Sequence, residues 1–319
     1  MKTCAAVLFA FLLSASSLCA QEKSKQQDAP RLPGQQKKKL EVPDRVLKPF
    51  LWKIEGDTPN YIFGTVHVAD PRALKLHPAA DRVFEAAEAA FFEIDFEKAG
   101  QQLQAMLLPN GEKLEDTLSA DTIQRLDKRV NKVAPGLRDR LPLKPIAWML
   151  LLPQLEAQKR FQNLALDMQL NGRAKAAGKV VGGLEDASLQ LRELFKLSKE
   201  EQSQFVKSSL KAMDDADAKN EDQLMTTINY YLRGDGKAFH KYFMDDMKAG
   251  SMPKPLQEKL IQGLLISRNK RMAKQIKELT AAFPDRKHFF AVGTAHMLGE
   301  NSVLTYLKKD GIKTSAVTE

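Results

Sequence analysis

Two histidines in this sequence stand in the same short motif, one near each end of the chain. Gly64-Thr65-Val66-His67 and Gly293-Thr294-Ala295-His296 share their glycine, threonine and histidine at the same spacing. An aromatic and β-branched run precedes each glycine, which is typical of a short buried strand that ends in a turn. Each histidine then lies at a loop mouth, where an imidazole serves as a metal ligand or an acid–base group. Either histidine alone is most simply a strand-end residue, but the matched pair favours one shared site.

Carboxylates in or after short strands are the next candidates for chemistry. In residues 91–96 the side chains of Glu93 and Asp95 are predicted to project from the same face of an apolar strand. They are solvated if that face is exposed, and they need a metal ion or an arginine as partner if it is buried. Glu185 follows a further strand and two glycines. It is either a ligand or base of the same site or, with Asp186, a cap for the next helix.

The elements that must position these residues form two similar β-loop-α-β units. The first has predicted strands at 51–55 and 61–63, a helix at 79–90 and a strand at 91–96. The second has a strand at 289–292, a helix at 302–309 and a strand at 312–317. The two histidines can meet only if their strands lie side by side. The sequence therefore predicts a mixed α/β fold, with a central mixed sheet whose twin loops converge on one cleft.

Residues 98–282 are mainly helical in pattern and are predicted to form a large insertion over the sheet. A short strand at 179–181, continuing through 182–185, interrupts this insertion. The predicted helices are 114–133, 146–158, 167–177, 189–197, 199–213, 222–232 and 256–283.

The first 48 residues are predicted to precede a single domain of residues 49–319. Residues 1–20 contain a lysine, an apolar run and a small-residue stretch, which is the layout of a secretory signal cleaved after Ala20. Residues 21–48 are rich in Gln, Lys and Pro and are predicted to be a basic, disordered linker. We therefore expect an exported protein, periplasmic or extracellular. A lipoprotein anchored through Cys19 is the less favoured alternative, because Ser16 replaces the apolar residue that such a signal uses.

Composition restricts both the chemistry and the partners. The two cysteines, Cys4 and Cys19, lie in the predicted signal, so any metal in the mature chain must be held by His, Asp or Glu. Those ligands suit Mn²⁺, Co²⁺, Fe²⁺ or Zn²⁺. The net charge is +9, but no aromatic residues are interleaved with the linker lysines, so we expect no nucleic-acid partner. Membrane association is expected only through the basic linker or a lipid anchor.

Taken together, the motifs resemble the TraB/GumN family, which is related to the Tiki metalloproteases. The resemblance covers residues 51–317, and it rests on the paired Gly-Thr-x-His motifs, the Glu93 strand, residues 174–179, Gly183-Leu184-Glu185, Arg268-Asn269 and residues 291–299. It implies a metal-dependent peptidase in which His67, His296 and Glu93 hold a divalent ion. Wider relatives put esterase chemistry or haem handling on a similar scaffold.

The catalytic hypothesis that follows is hydrolysis of a peptide or protein substrate at the metal. Glu185 or Asp95 would accept the proton of the attacking water, and Arg268 would stabilise the developing oxyanion. The alternative is an exported protein that binds metal or haem without turnover. The sequence leaves the substrate, the metal and the oligomeric state open. The remaining histidines are expected to be structural or exposed: His77, His240 and His288.

Overall fold

The computed structural model describes residues 41–98, 104–186, 189, 194–248 and 252–318. The predicted signal, most of the predicted linker and residues 190–193 of the predicted helix 189–197 lie outside these residues. The described part of the chain contains six strands and thirteen helices. None of those helices is both long enough and apolar enough to cross a lipid bilayer.

A single six-stranded sheet lies at the centre of the described chain. Its strands are β1 (Leu51–Ile54), β2 (Asn60–Thr65), β3 (Ala89–Ile94), β4 (Val180–Glu185), β5 (His288–Gly293) and β6 (Thr314–Ala316). Their spatial order is β4-β3-β5-β2-β1-β6. The four strands from β4 to β2 run parallel, whereas β1 is antiparallel to both β2 and β6. The predicted mixed α/β fold is therefore confirmed.

Strand β5 shows why the middle of the sheet is apolar in every residue. All six of its residues are buried, because helices cover both faces of the parallel strands. Phe289 and Ala291 belong to the core on one face of the sheet. Phe290 and Val292 belong to the core on the other face, where they meet Met272 of a long helix. The alternation of side chains along the strand thus divides its apolar residues between two cores.

Thirteen helices surround this sheet in the described residues. They are α1 (Pro71–Leu74), α2 (Pro78–Ala86), α3 (Ala120–Val133), α4 (Leu137–Arg140), α5 (Pro145–Phe161), α6 (Leu166–Ala176), α7 (Lys199–Ala218), α8 (Gln223–Arg233), α9 (Gly236–Met247), α10 (Lys254–Ile261), α11 (Ser267–Ala282), α12 (Thr294–Met297) and α13 (Val303–Lys309). Helices α3, α5 and α7 pack around a separate apolar core that includes Trp148 and Leu152. The helical part of the chain therefore has an interior of its own beside the sheet.

Three predicted boundaries differ from the structure in ways that matter for the site. Strand β3 ends at Ile94 rather than at residue 96. Asp95 instead accepts a hydrogen bond from the backbone N–H of Glu97 and opens a short 3₁₀ turn. The helix predicted for 79–90 ends at Ala86, because the chain enters β3 at Ala89. The helix predicted for 256–283 is divided into α10 and α11 by a π-helical turn at Gln262–Ile266.

Candidate active site

The two Gly-Thr-x-His motifs leave the sheet at the same edge. Strands β2 and β5 are parallel neighbours, and Thr65 pairs with Gly293 in their register. The hydroxyl of Thr294 donates a hydrogen bond to the carbonyl of Thr65 at 2.9 Å. The prediction that both histidine strands lie side by side is confirmed. This places His67 and His296 just beyond the carboxyl ends of adjacent parallel strands, where ligand sites of α/β sheets usually lie.

Glu93 brings the two histidines together. It lies at the carboxyl end of β3, the strand next to β5, and its side chain is buried. Its Oε1 atom lies 3.5 Å from Nε2 of His67 and 3.8 Å from Nε2 of His296. The side chain of His67 is 49% exposed, whereas His296 is buried. The centre therefore opens to solvent on the His67 side.

Gly293 forms the floor of this centre. Its backbone N–H donates to Oε1 of Glu93 at 2.7 Å. A Cβ atom at this position would lie 2.8 Å from Oε1 of Glu93 and 3.1 Å from Nε2 of His67. The motif glycine is therefore required for space, since any larger residue would enter the gap between the carboxylate and the imidazole.

Asp167 fixes the orientation of His67. This buried residue lies in the first turn of α6. Its Oδ2 atom lies 2.8 Å from Nδ1 of His67, and its Oδ1 accepts a 2.5 Å hydrogen bond from the hydroxyl of Thr65. The Asp167 charge, with a smaller contribution from Glu93, holds the pKa of His67 well above its ordinary value. The Nε2 atom is left facing Glu93.

Asn269 fixes the orientation of His296, as Asp167 does for His67. Its side-chain N–H donates to the carbonyl of Asn301 at 2.6 Å, which leaves its Oδ1 facing Nδ1 of His296, also at 2.6 Å. We therefore assign the proton of His296 to Nδ1. Burial, together with the charges of Arg268 and His67, lowers the pKa of His296 to about 3. His296 is neutral at physiological pH and directs Nε2 into the centre.

Arg268 contacts the carboxylates of Glu93 and Glu185 and also His296. Its Nη2 donates to Oε2 of Glu93 at 2.5 Å, and its Nε donates to Oε1 of Glu185 at 2.5 Å. Nη1 lies 3.3 Å from Nε2 of His296. Burial alone would raise the pKa of Glu93, but the charge of Arg268 and the hydrogen bond and charge of His67 hold it well below its ordinary range. Glu93 is therefore ionised at neutral pH. All three guanidinium nitrogens have partners in this centre, a pattern that lysine cannot reproduce.

The π-helical turn directly precedes Arg268 and Asn269. Single π turns within α-helices often occur at functional sites. Here the turn spans Gln262–Ile266, and α11 begins at Ser267. Arg268 and Asn269 are both buried in the first turn of α11 and reach Glu93 and His296, respectively.

Glu185 and Asp95, the two other carboxylates predicted for the site, have no direct contact with the two histidines among the described residues. Glu185 accepts hydrogen bonds on both oxygens, from Arg268 and from Arg271, and it reaches the histidines only through Arg268. Its predicted role as proton acceptor stays a prediction, and its contacts favour a positioning role. Asp95 pairs with Lys98 at 3.7 Å outside the centre. β3 ends before it, and its contacts with Lys98 and the backbone of Glu97 do not join it to Glu93 or the histidines.

Asp167 was not singled out as a site residue from the sequence. An acidic residue in the first turn of a helix is common, because it favours the helix dipole, so its type and position carry no signal of a site. Asn269 was marked only through its place beside Arg268 in the family motif. Both residues contact the histidines through Nδ1, on the side away from the centre. Such outer contacts orient a metal ligand and fix its tautomer.

The donor chemistry of the centre fits a divalent metal ion. Among the described residues, no three His, Cys, Asp or Glu side chains are arranged as a coordination sphere. The side chains of His67, His296 and Glu93 are nevertheless a donor set that such ions accept. Both imidazoles turn Nε2 inward, and the glycine at 293 keeps the space between the donors open.

The remaining histidines lie outside this centre. His288 is buried at the start of β5, where its backbone N–H and Nδ1 both contact Oδ1 of Asn60. His77 caps α2 by accepting the backbone N–H of Ala79. His240 packs against Gly299, at which a Cβ atom would meet the imidazole at 2.5 Å. All three have structural positions, as expected.

Comparison with known proteins identifies relatives of this chain. The model of the TraB/PrgY/gumN family matches residues 50–316. Metalloprotease TIKI1 of Xenopus tropicalis is 26% identical over 86% of this chain and 62% of its own length. Metalloprotease TIKI1 of Homo sapiens is 26% identical over 88% of this chain and 64% of its own. The Metalloprotease TIKI homolog of Nematostella vectensis is 25% identical over 85% and 67%, respectively.

The chain spans about three-fifths of the length of the first two curated relatives. No solved structure matches it. The family model extends from the start of β1 to the end of β6 and includes both histidine motifs. This chain belongs to the TraB/PrgY/gumN family.

Proposed function

We propose that this protein is a metal-dependent peptide hydrolase whose centre is formed by His67, His296 and Glu93. One observation carries the proposal. The inward-facing Nε2 atoms of both motif histidines lie within 3.8 Å of the same buried carboxylate oxygen, and each imidazole is held from behind through Nδ1. Ligands of this kind, oriented by outer hydrogen bonds, are characteristic of catalytic metal sites in hydrolases.

In this proposal, His67, His296 and Glu93 hold the ion, which could be Mn²⁺, Co²⁺, Fe²⁺ or Zn²⁺. When bound, the ion supplies Lewis acidity that polarises a carbonyl and makes water more acidic. Asp167 keeps Nε2 of His67 directed inward, and Asn269 does the same for His296. Substrate approaches from the exposed side of His67, since the other donors are buried.

The remaining polar groups act on the reacting atoms or on one another. Arg268 carries a buried positive charge beside Glu93 and His296, where it stabilises negative charge that develops on the scissile carbonyl oxygen. Glu185 and Arg271 hold Arg268 in place. Oε1 of Glu93 is the carboxylate oxygen nearest both imidazoles, and we assign it to hold the ion together with them.

The relatives support the class of reaction, since their names describe them as metalloproteases. A protein or peptide is accordingly the substrate class that we propose. We also propose that the protein is exported, on the pattern of residues 1–20. Mass spectrometry of the protein recovered from cell fractions should find a chain beginning at residue 21 in an exported fraction, and a cytoplasmic chain that retains residue 1 would contradict export.

The first test combines metal content with cleavage of a mixed peptide library. Purified wild-type protein should contain a divalent ion by elemental mass spectrometry and should cleave peptides in a chelator-sensitive way. His67→Ala and His296→Ala should lose both, because each removes a ligand. His77→Ala is the matched control, since His77 caps α2 outside the centre, and it should retain both.

Two outcomes would contradict the proposal. If both histidine variants keep their metal while the wild type is inert with every divalent ion tried, the proposed centre is wrong. If the wild type binds metal or haem tightly at these histidines and cleaves nothing, the protein is the non-catalytic binder that the sequence left as the alternative.

A further inference from the structure

A cleft adjoins the exposed side of His67. Its walls are the loop after β2, the second half of α5, the α5–α6 connection and the first turn of α6. The lining residues are His67, Ala69, Gln154, Ala157, Gln158, Asn163, Leu164, Ala165 and Met168. Because His67 is both a wall of this cleft and a side chain of the centre, a substrate bound at the centre on its open side extends into the cleft.

The cleft and the centre are built as one unit. The backbone N–H of Leu166 donates to the carbonyl of Val68 at 3.2 Å, which joins the α5–α6 connection to the His67 loop. The carboxylate of Asp167 then holds His67 at 2.8 Å. The wall residues Ala165 and Met168 flank these two attachment points in sequence. The position of the cleft relative to Nε2 of His67 is therefore fixed.

Apart from His67 itself, the side chains that line the cleft are uncharged. Ala69, Ala157, Leu164, Ala165 and Met168 supply an apolar surface. A positively charged group placed there would lose hydration without gaining a partner of opposite charge, which costs free energy. The cleft therefore discriminates against positively charged side chains.

Three carboxamides complete the lining: Gln154, Gln158 and Asn163. A carboxamide both donates and accepts hydrogen bonds, and it is chemically complementary to a peptide group, which also does both. The structure records no side-chain hydrogen bond for Gln154 or Gln158 within the described residues, whereas Asn163 donates to the carbonyl of Phe161. The two glutamine side chains are thus available to bind a peptide backbone.

The size of the cleft limits the side chain that it can accept. Its volume is about 50 Å³. One water needs roughly 10–15 Å³ by this measure, so the cleft holds about three to five non-hydrogen atoms. Alanine, valine or leucine side chains fit within this limit, and tryptophan does not.

We propose that this cleft is the subsite for a small uncharged side chain next to the scissile bond of a peptide substrate, with Gln154 and Gln158 binding the adjacent peptide groups. The proposal rests on the proposed hydrolase function and adds the substrate class. It makes Gln158, which is half-buried on the inner part of the cleft-lining helix, a specificity-determining residue.

The test uses acetylated and amidated peptides Gly-Gly-X-Gly-Gly, where X is Ala, Val, Lys or Trp. Initial cleavage rates are measured by mass spectrometry. Saturation-transfer NMR on the same peptides reports which side chains contact the protein, whether or not cleavage occurs. Peptides with Ala and Val should be cleaved at least about tenfold faster than those with Lys or Trp, a ratio expected for a pocket of fixed size and polarity. Their side-chain protons should also receive the strongest saturation.

Gln158→Glu places a carboxylate in the cleft with little change of shape. The rate for X = Lys relative to X = Val should rise about fivefold, the size expected for one partly exposed ion pair. Gln124→Glu is the matched control, because Gln124 is exposed on α3, which does not line the cleft, and it should leave the ratio unchanged.

The NMR arm separates failure of this proposal from failure of the proposed function. Selective saturation of Ala and Val side chains without cleavage would support the cleft and contradict the hydrolase. Cleavage with equal rates for all X, or a Lys to Val ratio that Gln158→Glu leaves unchanged, would overturn the cleft and leave the hydrolase standing.

Discussion

Glu93 contacts each of the other principal side chains of the centre. One carboxylate oxygen faces His67 and His296, and the other is bound by Arg268. A buried carboxylate without such partners would be protonated or would destabilise the fold. The arginine keeps it ionised, while the imidazoles remain directed at its second oxygen. The chemistry of the centre therefore depends on spacing at the level of single atoms.

Gly293→Ala tests that spacing. The new Cβ atom would approach Glu93 to 2.8 Å and His67 to 3.1 Å, so one of the donors must move. We expect kcat/KM to fall about 100-fold, since a displacement of about 1 Å at reacting groups has effects of that size. Metal affinity, measured by titration calorimetry, should fall with it.

Gly172→Ala is the control for the alanine substitution. Gly172 lies inside α6, and a Cβ atom there meets nothing within 4 Å. This variant should keep full activity and gain about 0.5–1 kcal/mol in free energy of unfolding, because alanine is the better helix former. Unchanged activity and metal affinity in Gly293→Ala would show that the gap at Gly293 is not part of the centre.

The elements that carry the residues of the centre also stabilise the fold. Strand β5 begins with His288, which lies in the core, and the short helix α12 that follows it carries His296. Helix α6 presents Asp167 to His67 from its first turn. Helix α11 presents Arg268 and Asn269 immediately after the π-helical turn. Stability and chemistry are thus carried by the same elements but by different ends of them.

His288 makes a contribution to stability that depends on pH. Burial, with a smaller effect of Arg286, lowers its pKa below the ordinary value of 6.5. Below about pH 6.5 the unfolded chain binds a proton at this position that the folded protein does not, so the free energy of unfolding falls as the pH falls towards the folded pKa. The loss is at most about 1.4 kcal/mol per pH unit.

His288→Phe should remove this contribution and keep the stacking on Phe290, whose ring lies 5.5 Å away. Urea denaturation at pH 7 and pH 5 provides the measurement. The variant should gain stability relative to the wild type as the pH falls. A constant difference between the two proteins at both pH values would show that His288 has the same pKa folded and unfolded.

At the scale of the whole molecule, the centre joins parts of the chain that are far apart in sequence. His67 and Asp167 are 100 residues apart, and Arg268 and Glu93 are 175 apart. A ligand that requires all of these residues binds only the folded state, and it therefore stabilises the fold by mass action.

If the proposed centre binds a divalent ion, adding that ion should raise the thermal midpoint. At a metal concentration 100 times the dissociation constant, the stabilisation is about 2.7 kcal/mol, which corresponds to a rise of about 5 °C or more in a domain of this size. Excess chelator should reverse the rise, and His67→Ala with His296→Ala in one chain should not show it. An equal rise in that double variant would place the metal elsewhere in the protein.

The strands and the pairing of the two motifs could be predicted from the sequence because they follow from patterns of neighbouring residues. The aromatic runs before Gly64 and Gly293 predicted buried strands, and the repeated motif required those strands to be neighbours, which the pairing of Thr65 with Gly293 confirms. The two β-loop-α-β units of the mixed sheet followed in the same way. Periodicity and motif spacing are properties of adjacent residues, so the sequence contains them directly.

Only the tertiary structure identified the residues behind the histidines. Asp167 and Asn269 lie on helices whose rotation relative to the sheet depends on packing far from the motifs. Neither residue type is unusual in a helix. The same holds for Asp95, because β3 ends at Ile94, directly before it, and not at residue 96 as predicted. A contact across a fold depends on how separate elements pack, and a one-residue shift in an element changes the direction of a side chain. The sequence determined which residues have the chemistry, and the packing decided which of them meet.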